Sequence, residues 1–447
     1  MARHGKCTFL GRSRRLISSL ACGFILAACS PVHAETAFGA DRQIVGNPYE
    51  NVKWEKARQH KAALHVHTLQ SDGGYSVSNV VEAYRRAGFT ILAITDHDWN
   101  RPNAVSPYPK EPRPYNYPAN PTWPWTDYGC ASPEALGMVG IQGNELTFRH
   151  HINSYFSDYG VFYQRTGPEA PFGGIVDKEG KEVWEDDQLL AVRDKGGLAV
   201  INHPGILDAF GWWARMPLDW YVERFRKHPA TYLVGIEVTN NGDEVTGKPW
   251  ASHAYDEGLW DQLLARLMPG RPIWGFGSDD MHALTGVALS YDIFPLETAN
   301  AQSVRHAIKT GQFYFVKKST GYVNYLTPSA DITNSVFPVI ERIRVDKQAG
   351  TIIIHARCYD EIRWISAPES LEPVADYRAS QKPWPLGTVV HVGETLDYKR
   401  TPKIRNYVRA ELWRRDRRVQ GVVYRAFTNP FGIATSESDR FKEGENK

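Results

Sequence analysis

The chain has 447 residues, of which 42% are hydrophobic and 23% are charged, and its formal net charge is +2. This composition excludes a disordered chain, which would combine few apolar residues with a high net charge. The charge is nearly neutral and the basic run at 414–418 carries an acidic residue, so we expect a solvated turn there and no nucleic-acid partner.

The first 34 residues have the pattern of a signal peptide. A basic start precedes the apolar run 16–28, which is too short to cross a bilayer comfortably. Two cleavage patterns compete, because 26–29 (LAAC) resembles a bacterial lipobox and 32–34 (VHA) resembles an ordinary signal-peptidase site. We favour the lipobox, and so expect an exported protein that is either periplasmic or attached to the outer membrane through a lipidated Cys29.

Apolar runs of strand length alternate with helical patterns after this segment. The predicted strands are 62–66, 89–95, 139–143, 198–202 and 272–276, and the predicted helices are 78–88, 185–195, 259–268 and 301–310. Ser78 is the expected N-cap of the first helix, and Gly88 its stop. This alternation predicts βαβ units and a largely parallel sheet.

Metal-binding types of residue stand at the ends of these strands. They are His65, His67, Asp72, His97, Glu145, His151, His203, Asp280 and His282. Imidazole nitrogens and carboxylate oxygens are ligands that zinc, manganese and iron accept. Because the active sites of parallel α/β folds lie at the carboxyl ends of the strands, these side chains should converge on one multinuclear metal site.

The same residues form an ordered set of motifs between about Ala62 and Gly311. H-x-H-T with S-D-G is followed by T-D-H, G-x-E with H-x-N, H-P and S-D-x-H. This series resembles the polymerase and histidinol phosphatase (PHP) family, and the chain looks similar to its exported, carbaryl-hydrolase-like branch. The resemblance implies an α/β fold, a distorted seven-stranded (β/α) PHP barrel over about 60–315, holding two or three divalent ions of Zn, Mn or Fe.

The resemblance also implies how the ligands are shared. One ion would take His65, His67 and Asp280, a second would take His151 and His203 with Glu145 bridging the two, and a third would take Asp72, His97 and His282. His150 is ambiguous: the H-x-N spacing favours its neighbour, and His150 would then support the ligands or contact substrate.

Most known activities of the family hydrolyse phosphoesters. The resemblance therefore implies a phosphoesterase that cleaves a phosphomonoester or phosphodiester of a small molecule with a metal-bound hydroxide. Glu145 would bridge two ions, Asp96 could orient ligands or shuttle protons, and Arg149 could hold a phosphate oxygen.

Two other functions stay open at this point. The same hydroxide attacks carbonyl carbons, and the aromatic residues of 99–130 would suit an organic substrate, so a hydrolase of carbamate, ester or amide bonds is the alternative. The third is a non-catalytic envelope protein that binds a partner. The sequence decides neither this question nor the oligomeric state.

The pattern changes after about Thr320, where short apolar runs follow each other without helices. They are 340–345, 351–357, 387–392, 407–413 and 419–427, and they predict a small C-terminal β-sandwich-like domain over 320–435. The polar tail 436–447 is expected to be disordered. Cys130 and Cys358 are too few for a disulfide framework, and whether they pair is open.

The competing cleavage patterns give a test of the anchor. In a bacterial host, we expect the mature protein to begin at a lipidated Cys29, and Cys29→Ala to release a soluble protein that begins at Glu35. Intact-mass measurement of both proteins checks this. A wild-type protein beginning at unmodified Glu35 would contradict the anchor but not export.

Overall fold

The computed structural model describes most of the chain after the signal segment. Its described residues are 42–98, 122–146, 150–160, 164–165, 175–176, 184–204, 216–240, 254–320, 336–371, 384–418 and 421–434. The predictions for the signal segment, most of the aromatic segment 99–130 and the tail 436–447 therefore lie outside the described residues.

The described chain is a mixed α/β structure. Its helices are α1 (Val77–Arg86), α2 (Glu185–Asp194), α3 (Leu218–Lys227), α4 (Ala254–Leu267) and α5 (Ala301–Thr310). Its strands are β1 (Gln43–Gly46), β2 (Arg58–Ala63), β3 (Phe89–Ile94), β4 (Val139–Leu146), β5 (Ile152–Tyr155), β6 (Gln164–Arg165), β7 (Ile175–Val176), β8 (Leu198–Ile201), β9 (Leu233–Asn240), β10 (Trp274–Ser278), β11 (Ser290–Leu296), β12 (Tyr314–Thr320), β13 (Val339–Asp346), β14 (Thr351–Arg357), β15 (Glu361–Ser366), β16 (Thr388–Val392), β17 (Thr395–Asp397), β18 (Tyr407–Arg415), β19 (Val422–Thr428) and β20 (Phe431–Ala434).

One large sheet organises these elements. Its strand order is β1-β20-β18-β19-β12-β11-β2-β3-β4-β5-β8-β9-β10, with β15 paired to β18 and β16 paired to β15. The pairs β2–β3, β3–β4, β8–β9 and β9–β10 are parallel. The expected α/β class is therefore confirmed, whereas closure into a seven-stranded barrel stays a prediction.

The sheet departs from the predicted parallel arrangement at β5. This strand lies antiparallel between β4 and β8. The first residue of β5, Ile152, is therefore paired with the last residues of β4 and β8, Leu146 and Ile201. This reversal matters for the site, because His151 comes directly before β5.

Helix α1 shows how the local sequence sets the element boundaries. Its buried residues Val77, Val80, Val81 and Tyr84 recur at helical spacing. The N-cap is Ser76, whose hydroxyl accepts a hydrogen bond from the Asn79 N–H at 3.3 Å, so the prediction of Ser78 as the cap is wrong. Gly88 follows the helix with a φ of +80°, a conformation that glycine adopts without strain.

The strands that follow Thr320 are antiparallel, and several of them continue the large sheet. β19 pairs with β12 along its whole length, and β18 pairs with β19. β13, β14 and β17 form a separate three-stranded sheet. A distinct C-terminal domain stays a prediction. Cys130 and Cys358 are free thiols.

A buried ion pair ties the C-terminal strands to α4. The Asp261 carboxylate accepts hydrogen bonds from Arg409 Nε at 2.9 Å and Nη2 at 2.8 Å, and from the Tyr407 hydroxyl at 2.8 Å. Asp261 and Arg409 are almost completely buried. Such a pair is strongly coupled, because the loss of one partner leaves the other charge buried without compensation.

Among the described helices, none combines the length and apolar character required to span a bilayer.

This pair predicts a large difference between two acidic positions. Asp261→Ala should lower the free energy of unfolding by about 3–5 kcal/mol, because it leaves the Arg409 charge buried and unpaired. Glu297→Ala removes a carboxylate that meets Lys53 at 3.4 Å on the surface and should cost about 1 kcal/mol or less. Urea unfolding of both variants checks this. Equal losses would show that the buried pair does not hold α4 in place.

Candidate metal centre

The strand ends bring all nine predicted ligand residues to one place. His65 and His67 follow β2, His97 follows β3, Glu145 lies on β4 and His203 follows β8. Their donor atoms, with those of Asp72, His151, Asp280 and His282, form four overlapping groups, each with its atoms within 4.8 Å of one another. The parallel bridges of Val66 with Met281 and of His97 with Glu145 show that the strand ends lie side by side.

Glu145 occupies the middle of the cluster. Its Oε1 lies 2.9 Å from His151 Nδ1 and 3.0 Å from His203 Nε2. Its Oε2 lies 3.1 Å from His97 Nδ1 and 3.3 Å from His67 Nε2. A carboxylate with ring nitrogens on both oxygens has the position that a bridge between two cations requires.

The distances between donor atoms suit a shared cation. His65 Nε2 and His67 Nε2 are 3.1 Å apart, and they lie 3.2 and 3.1 Å from Asp280 Oδ1. Ligand atoms bonded to one ion at roughly 2.1 Å are separated by about 3.0 Å in an octahedron and about 3.4 Å in a tetrahedron. The three donors therefore fit the face of a coordination polyhedron, and the cluster suits divalent metal ions.

Another group of donors lies at the more open side of the cluster. Asp72 Oδ2 lies 3.4 Å from His97 Nε2, and Asp72 Oδ1 lies 3.3 Å from His282 Nε2. The side chains of Asp72 and His282 are 39% and 38% exposed, whereas that of Glu145 is 1% exposed. A small molecule would therefore reach the cluster from the side of Asp72 and His282.

Charges in the cluster compensate each other. Burial lowers the pKa of His65, but the carboxylates of Asp280 and Glu145 outweigh burial and raise this pKa well above its ordinary value. Burial raises the pKa of Glu145, but the surrounding imidazoles, led by His151, outweigh it and lower this pKa well below the ordinary range. The carboxylate is therefore ionised, and a divalent ion would bind in exchange for protons on the rings.

The structure separates the two adjacent histidines. His150 Nε2 lies 2.8 Å from the Tyr221 hydroxyl, and its ring stacks on Trp220 with the centroids 5.3 Å apart. Burial lowers the pKa of His150 to about 3, so its ring is neutral. His151 is the one that contacts Glu145, as the H-x-N spacing indicates.

The other two predicted catalytic residues are Asp96 and Arg149, and the structure describes only Asp96. The Asp96 carboxylate accepts hydrogen bonds from the Thr68 N–H at 2.7 Å and from three hydroxyls, those of Thr68, Ser71 and Thr122, at 2.6–2.7 Å. These contacts hold the loop that carries Asp72, whereas proton transfer by Asp96 stays a prediction. Arg149 lies outside the described residues.

The neighbouring aspartates 279 and 280 have opposite orientations. Asp279 accepts hydrogen bonds from the N–H groups of Ala288, Leu289 and Ser290 at 2.7–2.8 Å, away from the cluster. Burial raises the pKa of Asp279 to about 7. Asp280 faces the cluster and has a φ of +43°, an unusual conformation for a residue with a side chain.

Three residues absent from the predicted set contact its members. Asn202 Nδ2 donates to Glu145 Oε1 at 2.8 Å. Glu237 Oε1 lies 2.7 Å from His65 Nδ1, and Asn240 Nδ2 donates to Asp280 Oδ2 at 3.1 Å. A glutamate within the apolar run 233–238 (LVGIEV) is the sequence signal that could have revealed Glu237, since a carboxylate inside a buried strand needs partners.

No family model matches the sequence, and no curated protein matches it. Solved structures show distant likeness. A two-domain protein from Bacteroides vulgatus that contains a predicted PHP-like metal-dependent phosphoesterase is 15% identical, with a TM-score of 0.41 over 83% of this chain and 93% of that chain. An amidohydrolase from Chromobacterium violaceum with bound sulfate and no metal is 16% identical, with a TM-score of 0.31 over 50% of this chain and 87% of that chain. At TM-scores this low, neither likeness indicates the chemistry of the cluster.

The overlapping groups of donors predict the metal content. We expect two or three transition-metal ions per chain after reconstitution with Zn²⁺ or Mn²⁺, because nine donors exceed what a single four- or six-coordinate ion can use. Elemental analysis of dialysed protein measures the ratio. A value of one ion or fewer would contradict a multinuclear centre.

Proposed function

We propose that this protein is a metal-dependent phosphoesterase that hydrolyses a phosphomonoester or phosphodiester of a small molecule. In this proposal the α/β part is a distorted seven-stranded barrel of the PHP type and the C-terminal strands form a β-sandwich-like domain. The observation that carries the function is the position of Glu145, a buried carboxylate with imidazoles on both oxygens in a cluster that is open on one side.

The residues of the cluster have different roles in this proposal. Divalent ions, when bound, would supply Lewis acidity and lower the pKa of a water molecule toward about 7. Glu145 holds the two halves of the cluster at a fixed separation, since each of its oxygens meets a different set of rings. Asp72 and His282 lie at the open side, where a phosphate group would approach.

Asp96 contributes by fixing this open side. Three of its hydrogen bonds fasten Thr68 and Ser71, which precede Asp72, to the end of β3, and the fourth comes from the Thr122 hydroxyl. Asp72 therefore has a defined position even though its side chain is partly exposed. We further propose that the enzyme works in the periplasm or at the outer membrane, which the pattern of residues 1–34 supports.

The substrate class is tested with model substrates. Purified protein loaded with Zn²⁺, Mn²⁺ or Fe²⁺ should hydrolyse 4-nitrophenyl phosphate or bis(4-nitrophenyl) phosphate faster than an aryl carbamate or aryl ester. Release of the phenol product measures all four reactions. Hydrolysis of the carbamate or ester alone would replace the proposal with a carbonyl-directed hydrolase, and no hydrolysis by metal-loaded protein would favour a binding protein.

A pair of conservative variants serves as the control for this assay. Glu145→Gln removes the charge between the imidazoles and should abolish most of the activity. Asp98 is buried nearby, and its N–H donates to the Glu145 main-chain oxygen at 3.1 Å, which Asp98→Asn leaves in place. Asp98→Asn should therefore lose less, at most the roughly 10–100-fold that is typical of groups behind the ligands. Equal losses would show that Glu145 is not the bridge.

A further inference from the structure

Strand β9 ends beside the cluster but supplies none of the nine predicted ligands. Two of its polar side chains, Glu237 and Asn240, nevertheless contact members of the cluster that come from three other parts of the chain. Glu237 is 2% exposed and Asn240 is 1% exposed. A carboxylate that is buried so deeply requires strong hydrogen bonds or opposite charge to offset its desolvation.

The contacts of Glu237 are divided between its two oxygens. Oε1 lies 2.7 Å from His65 Nδ1. Oε2 accepts hydrogen bonds from the His203 main-chain N–H at 2.8 Å and from Asn240 Nδ2 at 3.2 Å. The same Asn240 nitrogen lies 3.1 Å from Asp280 Oδ2. Glu237 and Asn240 thus connect His65, His203 and Asp280. They contact His65 and Asp280 through Nδ1 and Oδ2, whereas Nε2 and Oδ1 face each other within the cluster.

This arrangement selects the tautomer that His65 adopts when its ring loses a proton and becomes a neutral ligand. When Nδ1 carries the proton that Glu237 Oε1 accepts, the lone pair of Nε2 is free to face the cluster. Nε2 is indeed the atom that lies near His67 Nε2, Glu145 Oε1 and Asp280 Oδ1, at 3.1, 3.3 and 3.2 Å. The opposite tautomer would place a proton on Nε2 and remove its lone pair from the cluster.

The second carboxylate oxygen of Glu237, Oε2, accepts a hydrogen bond from the main chain at His203. His203 has a φ of +21°, which is unusual for a residue with a side chain. The hydrogen bond from its N–H to Glu237 Oε2 holds the chain in this conformation, in which His203 Nε2 lies 3.0 Å from Glu145 Oε1. Strained conformations of this kind persist when surrounding contacts fix them.

The geometry points to Glu237 as the residue that positions the metal centre, with Asn240 as its link to Asp280. This inference rests on the metal centre of the proposed function, but not on the reaction catalysed there. Glu237 supplies two acceptor oxygens for three N–H donors. A glutamine has one acceptor oxygen, so it satisfies either His65 or the pair formed by His203 and Asn240.

The test measures zinc binding by the full-length protein, in competition with a chromophoric chelator. Glu237→Gln should weaken the tightest zinc binding by about 10–100-fold, as is typical when the partner of a ligating histidine is lost. NMR of the zinc-loaded parent should show a slowly exchanging His65 Nδ1–H proton, and the variant should lose or shift this signal, because an amide oxygen accepts the hydrogen bond less strongly than a carboxylate. A purely structural role of Glu237 would not change the His65 ring proton.

Asp292→Asn is the matched control. Asp292 is also a fully buried carboxyl group, but its Oδ1 accepts a hydrogen bond from the Gly277 main-chain N–H at 3.0 Å. Burial raises its pKa well above the ordinary value. Asparagine has a similar shape and keeps an oxygen that can accept the Gly277 hydrogen bond. Asp292→Asn should therefore keep the parent's zinc affinity and the His65 proton signal.

Several outcomes would overturn the inference. A folded Glu237→Gln protein with the parent's zinc affinity and His65 signal would do so, and so would equal weakening in Asp292→Asn. If Glu237→Gln does not fold, Asn240→Ala decides instead, because it removes the link to Asp280, and unchanged zinc affinity would refute the proposal. A parent that binds zinc but hydrolyses no phosphoester would refute the proposed function alone, whereas a parent that binds no zinc would refute both.

Discussion

The structure of the site depends on one electrostatic constraint, the burial of the Glu145 charge. An ionised carboxylate removed from water is costly unless cations or hydrogen-bond donors surround it. Here Asn202 and the rings of five histidines, His65, His67, His97, His151 and His203, lie within 3.3 Å of its oxygens. Compensation from so many directions requires chain segments that are distant in sequence to end at the same point, and the strand order of the sheet provides this.

The constraint extends outward through the residues behind the ligands. His203 and Asp280 have positive φ values, and both are held by hydrogen bonds that converge from β9. On the other side of the cluster, Asp96 fastens the loop that precedes Asp72. These two ligand residues therefore lie on backbone conformations that are uncommon for residues other than glycine, and the neighbouring carboxylate and amide stabilise them.

The C-terminal strands take part in this support. Strand β9, which carries Glu237, packs against α4, and α4 is tied to β18 through Asp261 and Arg409. The side chains of Ile236, Leu263 and Phe427 belong to the same buried cluster, so the apolar core is continuous from β9 to the C-terminal strands. Because protein interiors are closely packed, the C-terminal strands help to support β9 beside the cluster.

The sequence alone determined which residues could bind metal, because histidines and carboxylates that directly follow apolar runs mark the ends of strands. It also determined helix α5, through the helical spacing of its apolar residues and the glycine, Gly311, that ends it. Tertiary structure decided the remainder. The direction of β5 depends on its partners β4 and β8, because its four residues, INSY, are compatible with either direction. Glu237 occupies an apolar run like any buried strand residue, and its role follows only from the His65 ring that a distant segment brings to it. Local patterns specify burial and element type, whereas the partner of a buried charge is specified by the path of the whole chain.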